Sequence, residues 1–243
     1  MYKELLIINE KNYPVFIFVE KRNNVSASIR KKGICIRIPS FLSREEQFKQ
    51  IRRLKDWASK KLQEQPFSEI KEKGWKNYKD EDTLTLGKEE YTLKIIYADK
   101  EGSSSKIERN TIFLRITNRI PEEEQRKHIS TLISRTLAQE KHSYITNKIH
   151  ELNKKHFNFE IRNIFLKYNT SNWGSCSHQG NINISTRLLL APEDVLDYVC
   201  VHELSHLKEK NHSPSFWKLV ETAMPDYKEK KKWLHTHRDT CWF

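Results

Sequence analysis

Cysteine, glycine and proline are scarce in this chain of 243 residues, which has 4 Cys, 6 Gly and 7 Pro. So little glycine and proline excludes collagen-like and low-complexity proteins, and four cysteines without a CxxC pair are too few for the disulfide framework of a small secreted domain. The longest apolar runs, Val15–Val19 and Leu188–Ala191, are far shorter than the ~18 residues of a transmembrane helix. No signal-peptide pattern opens the chain. We therefore expect a globular cytoplasmic protein with reduced thiols that does not bind a membrane.

Acidic residues are outnumbered, with 32 Asp and Glu against 44 Lys and Arg, a formal charge of +12. The excess is concentrated between Lys21 and Lys61, where thirteen basic residues face three acids, whereas Arg162–Trp217 contains five of each. A basic segment of this kind forms either a solvated helix face or a surface that binds nucleic acid. Nucleic acid is therefore one candidate partner, through Lys21 to Lys61.

The N-terminal part of the chain has the periodicity of strands followed by a helix. Val15, Ile17 and Val19 alternate with Phe16, Phe18 and Glu20, and the isoleucines of Ile34–Ile38 alternate with Cys35 and Arg37, as in strands. Ser43 precedes two glutamates and a stretch with apolar residues at helical spacing, which predicts a basic helix that begins with Ser43 as its N-cap and extends to about Gln65.

A second helix is predicted after Pro121, because proline and the three glutamates that follow it are typical of a first helical turn. We place the domain boundary just before this helix. The predicted organisation is a β-rich region with a basic helix over residues 1–120 and a catalytic domain over residues 121–243. No internal repeat is evident.

The strongest chemical signal is the HExxH pattern formed by His202, Glu203 and His206. It lies on a segment that starts at Pro192 and has apolar residues at helical spacing. Two histidines four residues apart on a helix project from one face and can hold one metal ion. Glu203 is one step around the helix, where its carboxylate can take a proton from a metal-bound water. The alternative is a pair of structural helix histidines.

A third histidine follows the predicted helix. Asn211 is a good helix stop and Ser213-Pro214 a good start for a new helix, so the turn between them can bring His212 back toward the other two histidines. Three neutral ligands plus one water make a catalytic zinc site, whereas four protein ligands make a structural one. The alternative for His212 is a solvated turn residue.

These motifs resemble the YgjP-like metallopeptidases, minimal gluzincins distantly related to SprT/Spartan-type proteases. The resemblance covers about Tyr168 to Leu234 and rests on Trp173–Ser177, Tyr198–Leu207 and Asn211–Ser213. It implies an α+β, zincin-like catalytic domain with the HExxH helix and a small antiparallel sheet. It also implies one zinc per chain, held by His202, His206 and His212, with Glu203 as general base. Asn172 and Ser185 depart from the usual Arg and Asn of the family, away from the metal set.

The function predicted on this basis is a zinc-dependent peptidase acting on a peptide or protein. The alternative is a nucleic-acid-binding protein in which the metal site is secondary, or a peptidase acting on nucleic-acid-bound proteins. A second donor to the developing oxyanion is expected, and the sequence leaves five candidates open: Tyr168, His178, Tyr227, His235 and His237. Asn181–Arg187 is predicted to be a strand whose edge could accept an extended peptide.

Overall fold

The computed structural model describes residues 2–30, 33–64 and 75–243. Within these residues the chain forms strands, five α-helices and one 3-10 helix. In order along the chain these are β1 Tyr2–Ile8, β2 Lys11–Glu20, β3 Ser26–Arg30, β4 Gly33–Pro39, α1 Arg44–Glu64, β5 Thr83–Leu86, β6 Glu89–Ala98, β7 Ser104–Glu108, β8 Thr111–Thr117, α2 Glu122–His156, β9 Asn163–Lys167, β10 Gly174–Cys176, β11 Asn181–Ser185, the 3-10 helix Thr186–Leu190, α3 Glu193–Lys208, α4 Pro214–Ala223 and α5 Tyr227–Thr236. Among the described residues, none of the helices combines the length and hydrophobicity that crossing a bilayer requires.

The first four strands form one sheet in the order β1-β2-β4-β3, within a compact unit that covers Met1–Lys73. Helix α1 packs on this sheet through Ile51, Ala58 and Leu62. Its start is fixed by a capping box, because the backbone N–H of Ser43 donates to the carboxylate of Glu46 (2.9 Å) while the Ser43 hydroxyl accepts from the backbone N–H of Glu46 (3.3 Å). The predicted basic helix is therefore present; Gln65, its expected end, lies outside the described residues.

The next four strands form a second sheet, in the order β5-β6-β8-β7, within a compact unit that covers Gly74–Phe243. The N-terminal half of α2 packs on this sheet through Ile129, Ile133 and Leu137. The C-terminal half buries Ile145 and Ile149 in a different cluster, which also contains α3. The single long helix thus joins the second sheet to the part of the chain that carries the histidines.

The two four-stranded sheets are copies of one arrangement. Both pair their strands antiparallel, parallel and antiparallel in the same order, and both are followed by a helix. Their registers coincide at a constant offset of 78 positions, since Leu6 pairs with Tyr13 in the first sheet and Leu84 with Tyr91 in the second. Eight of the eighteen residues in 34–51 are identical to those in 112–129. The prediction that the chain lacks an internal repeat is therefore wrong. One four-stranded sheet and the start of the helix that follows it occur twice in tandem.

The third sheet has the order β10-β11-β9 and lies beside α3. The α+β fold class is confirmed, but the sheet is mixed and not wholly antiparallel. β10 and β11 form an antiparallel pair, whereas β11 runs parallel to β9 because the hairpin strand β10 lies between them in sequence and returns the chain to its first direction. The predicted division at residues 120 and 121 stays a prediction; the compact unit that contains α3 reaches back to the strands before residue 120.

Candidate metal centre

Helix α3 supports the residues that were expected to bind metal. It begins after Pro192, with acidic side chains in its first turn, where they complement the positive end of the helix dipole. Val199, Val201 and Leu204 bury its inner faces in the core. It ends at Lys208, because the backbone of Glu209 is already extended. A helix held on several sides in this way fixes the direction of its remaining side chains.

The structure brings His202, His206 and His212 together. One ring nitrogen from each can be chosen so that all three lie within 4.8 Å of one another, and Nε2 of His202 is 3.1 Å from Nε2 of His212. Two nitrogen ligands of a tetrahedral zinc ion are separated by about 3.3 Å when each Zn–N bond is about 2.0–2.1 Å. His202 and His212 therefore have about the spacing of two ligands of one metal ion, and a nitrogen of His206 lies within 4.8 Å of both.

The turn after α3 and the start of α4 position His212. The Ser213 hydroxyl accepts from the backbone N–H of Phe216 (3.3 Å), and Pro214 occupies the first turn, so α4 begins immediately after the histidine. The fully buried ring of Phe216 lies 4.8 Å from the His202 ring, 4.4 Å from His206 and 4.8 Å from His212, measured between centroids. This one side chain thus packs against all three imidazoles.

Hydrogen bonding and burial prepare the imidazoles for metal. Nδ1 of His206 lies 2.9 Å from the carbonyl oxygen of Glu209, which fixes the ring and leaves Nε2 for a metal. Burial, together with the neighbouring imidazoles, lowers the pKa of His202 to about 3, and burial also lowers the pKa of His212. Both rings are thus neutral at pH 7, the form that binds metal. The donor set fits a zinc ion.

Glu203 is buried next to this cluster, with 5% of its surface exposed. Burial raises the pKa of its carboxyl to about 8, and its Oε2 atom has no hydrogen-bond partner among the described residues. Gly174, the first residue of β10, faces it: a Cβ atom added there would be 2.7 Å from Oε1 of Glu203. The carboxylate therefore lies against the β10 backbone in a space that only glycine leaves open.

The five candidates for a second donor are separated by the fold. Tyr227 belongs to the aromatic cluster around the histidines, stacked on Trp217 at 5.3 Å between centroids. Tyr168 packs instead with Trp75 and Phe243, while His237 stacks on Trp233 and the other two histidines are exposed. Tyr198, which is not among the five, has its ring 5.9 Å from that of His202. Its position one helical turn before His202 was the available signal.

The strand expected to accept a peptide is not at an edge. β11 pairs with β10 on one side and with β9 on the other, so the predicted edge role of Asn181–Arg187 is wrong. Alternating hydrophobicity predicts a strand but not its place in a sheet, which tertiary pairing decides. β10 and β9 are the edge strands of this sheet among the described residues, and β10 is the one that lies against Glu203. Burial raises the pKa of the half-buried Cys176 thiol on β10, which fits a structural thiol better than a nucleophile.

Part of the basic segment is neutralised by local ion pairs. Arg22 and Arg37 both contact Glu20, and further pairs join Lys55 to Glu4 and Lys61 to Glu64. Lys31 and Lys32 lie outside the described residues. Helix α1 still exposes a group of basic side chains, Lys49, Arg52, Arg53 and Lys60, with the exposed Phe48 beside them.

Comparison with known proteins identifies the class to which this fold and site belong. The family model described as YgjP-like, metallopeptidase domain matches residues 23–237. The chain belongs to this metallopeptidase family, which confirms the resemblance seen in its motifs.

Individual relatives match smaller parts of the chain. Two solved structures are similar over 38% of it: the metallopeptidase zymogen abylysin of Pyrococcus abyssi, with 24% identity, a TM-score of 0.36 and 92% of that chain covered, and the zymogen jannalysin of Methanocaldococcus jannaschii, with 22%, 0.34 and 94%. A curated protein of Escherichia coli (strain K12), described as a UTP pyrophosphatase, is 32% identical over 81 residues. That match covers 33% of this chain and 48% of the relative, so the chain spans about half the relative's length.

Proposed function

We propose that this protein is a zinc-dependent peptidase in which His202, His206 and His212 hold one zinc ion and Glu203 is the general base. The observation that carries this proposal is the convergence of three imidazole nitrogens within 4.8 Å, beside a buried carboxylate with an unpaired oxygen. A structural metal site does not need such a carboxylate. Burial of an unpaired carboxyl group destabilises the folded protein, so its presence here indicates a functional role.

The bound metal would supply a water of lowered pKa, roughly 7, and polarise the scissile carbonyl. Glu203 accepts the proton of the attacking water on its carboxylate and then donates it to the nitrogen of the leaving amine. The apolar surroundings that raise its pKa favour the first of these steps, because a carboxylate of higher pKa is a stronger proton acceptor. Tyr198 and Tyr227 are the two hydroxyl-bearing side chains of the aromatic cluster and are candidates for the second oxyanion donor.

The free side of β10 is the proposed substrate edge. A peptide in extended conformation would pair with Gly174–Cys176 through its backbone, which puts a scissile bond next to Glu203. Recognition of this kind depends mainly on backbone hydrogen bonds and needs few side-chain contacts. The strand is only three residues long, so the paired stretch of substrate is short.

A second candidate activity is hydrolysis of a nucleoside triphosphate to a monophosphate and pyrophosphate. It is suggested by the E. coli relative described as a UTP pyrophosphatase. The same three imidazoles and Glu203 could activate a water for attack on phosphorus. The two candidate activities are distinguished by measuring peptide cleavage and pyrophosphate release on the same zinc-loaded preparation.

Nucleic acid remains a proposed partner of the exposed basic side chains of α1, since Phe48 beside Arg52 combines an aromatic face with positive charge, as single-stranded nucleic-acid sites do. Binding of single-stranded RNA at ~0.1 M salt should exceed that of an equally basic control protein and fall when Arg52 and Arg53 are both changed to Gln. Equally tight binding by the control protein would exclude nucleic acid as a specific partner. The cytoplasm is the proposed location, and the four cysteines, all free, fit it.

The test of the proposed function is elemental analysis of the purified chain beside its His202→Ala, His206→Ala and His212→Ala variants, together with assays of peptide cleavage and of pyrophosphate release from UTP. We expect about one zinc per chain, lost in each variant, and peptide cleavage that needs zinc. Pyrophosphate release without peptide cleavage would replace the first candidate by the second. A wild-type chain that takes up no zinc, even after reconstitution, would overturn both.

A further inference from the structure

Lys231 lies beside the metal centre. Lys231, on α5, places its ammonium 4.3 Å from the centre of the Trp217 ring. That ring is in turn stacked on His212, with 5.7 Å between centroids and 24° between planes. His212 is the most exposed of the three histidines, so the lysine borders the side on which solvent reaches the site.

Lys231 differs from the lysines that precede it on the same helix. Lys228 pairs with Glu221, and Lys230 pairs with Asp194 and Asp226. Within the part of the chain that the structure describes, no carboxylate lies within salt-bridge distance of Lys231. Its ammonium lies over the Trp217 ring and has no carboxylate partner among these residues, so it is available to bind an anion.

The charges around the site favour an anion. The Trp217 ring contacts both the ammonium of Lys231 and the His212 imidazole. Glu203 is a buried carboxyl group beside the three imidazoles. A divalent metal, three neutral imidazoles, one carboxylate and one ammonium leave a net charge of about +2 at the centre, which favours a substrate that carries negative charge.

We propose that Lys231 is a specificity-determining residue that binds an anionic group of the substrate next to the scissile bond. This inference rests on the proposed function, because it assigns a substrate class to the same centre. For a peptidase the anion is the C-terminal carboxylate, which makes the enzyme prefer cleavage near the free end of a peptide. For a nucleotide hydrolase the anion is a phosphate.

The experiment uses the zinc-loaded protein with Lys231→Met, which keeps an unbranched side chain and removes the charge, and Lys231→Arg, which keeps the charge. Lys232→Met is the matched control, since Lys232 is the exposed neighbour on the same helix. Each is assayed with one short peptide as its free acid and as its C-terminal amide, and with UTP. In parallel, titration calorimetry with the free acid, the amide and inorganic pyrophosphate is carried out on a background in which Glu203→Gln has removed turnover.

If the anion is the C-terminal carboxylate of a peptide, we expect wild type to prefer the free acid over the amide by about tenfold in kcat/KM, mainly through KM. Lys231→Met should lose this preference, Lys231→Arg should restore it and Lys232→Met should retain it. If the anion is a phosphate, the three variants should change KM for UTP and the affinity for pyrophosphate in the same pattern. Either pattern supports the proposal, and calorimetry decides it even where no substrate is turned over.

Equal affinity of the wild-type and Lys231→Met backgrounds for the free acid, the amide and pyrophosphate would overturn the anion subsite. Zinc binding and peptide cleavage would then still stand, so the proposed function would survive. Conversely, absence of hydrolysis with a Lys231-dependent affinity for anions would reject the catalytic proposal and retain the subsite.

Discussion

Gly174 lies directly against the carboxylate of Glu203. A Cβ at this glycine would be 2.7 Å from both Cγ and Oε1 of the glutamate, closer than such carbon atoms come to other atoms in proteins. The backbone of Gly174 is held in turn by pairing with Ile184 across the sheet. The strand therefore cannot retreat easily, and the glutamate would have to move if a side chain were added.

Gly174→Ala should therefore impair catalysis without removing the metal. We expect at least a hundredfold loss of kcat, because a displaced general base no longer reaches the reacting water, and zinc content should stay near that of wild type. Ser175→Ala is the control on the same strand and should retain activity. Loss of zinc from Gly174→Ala would show that Gly174 supports the metal ligands and not the carboxylate of Glu203.

Glu203→Gln should keep one zinc per chain and lose hydrolysis by a factor of about 10³ or more, since the amide cannot accept a proton. His206→Ala should lose both zinc and activity. Elemental analysis of the two purified variants, run beside peptide and UTP assays, checks the assignment. Residual activity within a few-fold of wild type in Glu203→Gln would exclude this residue as the base.

The pH dependence of stability in the metal-free protein should reveal the burial of Glu203. Its pKa of about 8 lies above its ordinary value of 4.5, so in this range the folded state holds a proton that the unfolded state has released, and stability falls as pH rises. His202, with a pKa of about 3 instead of 6.5, makes stability rise with pH until the unfolded imidazole is neutral, about one unit above pH 6.5. The upper part of the window from pH 6.5 to 8, compared with Glu203→Gln, therefore reports the glutamate.

Urea unfolding of chelator-treated protein at several pH values within this window tests that expectation. Wild type should lose up to about 1.4 kcal/mol per pH unit, and Glu203→Gln should lose much less. If the free energy of unfolding depends on pH in the same way in both proteins, the carboxyl group of Glu203 titrates near its ordinary pKa.

Arg187 should be important for folding. Its buried guanidinium lies between the rings of Trp173 (4.3 Å) and Trp242 (4.0 Å), and it donates to the carbonyl oxygens of Cys241 (2.6 Å) and Arg238 (2.5 Å). Arg187→Met would leave both carbonyls without this donor, and we expect a loss of about 3 kcal/mol in the free energy of unfolding.

The control for this change is Arg238→Met, whose guanidinium is exposed and makes one long hydrogen bond, 3.4 Å, to the carbonyl oxygen of Ser171. Denaturant unfolding of zinc-loaded protein should show a much smaller effect for the control. Equal stabilities of the two variants would mean that the buried arginine contributes no more than a surface one.

Local patterns determined the elements that were predicted correctly. Ser43 with its following glutamates marked the start of α1, and Pro121 marked that of α2, because caps and first turns depend on neighbouring residues. The spacing of His202 and His206 put both on one helix face, since helical geometry fixes the direction of residues four apart. The repeat was also present in the sequence, as identities between residues 34–51 and 112–129, but divergence elsewhere hid it until the strand registers coincided.

Contacts between distant residues were decided by the tertiary structure alone. Nothing local in the sequence says that β11 lies between β9 and β10, that Gly174 faces Glu203, or that Lys231 borders the histidines through Trp217. The sequence by itself determined which residues could bind a metal, because ligand chemistry and helix periodicity are local. Only the packing of strands and helices decided what surrounds that metal site, because burial and charge there come from segments far apart in the chain.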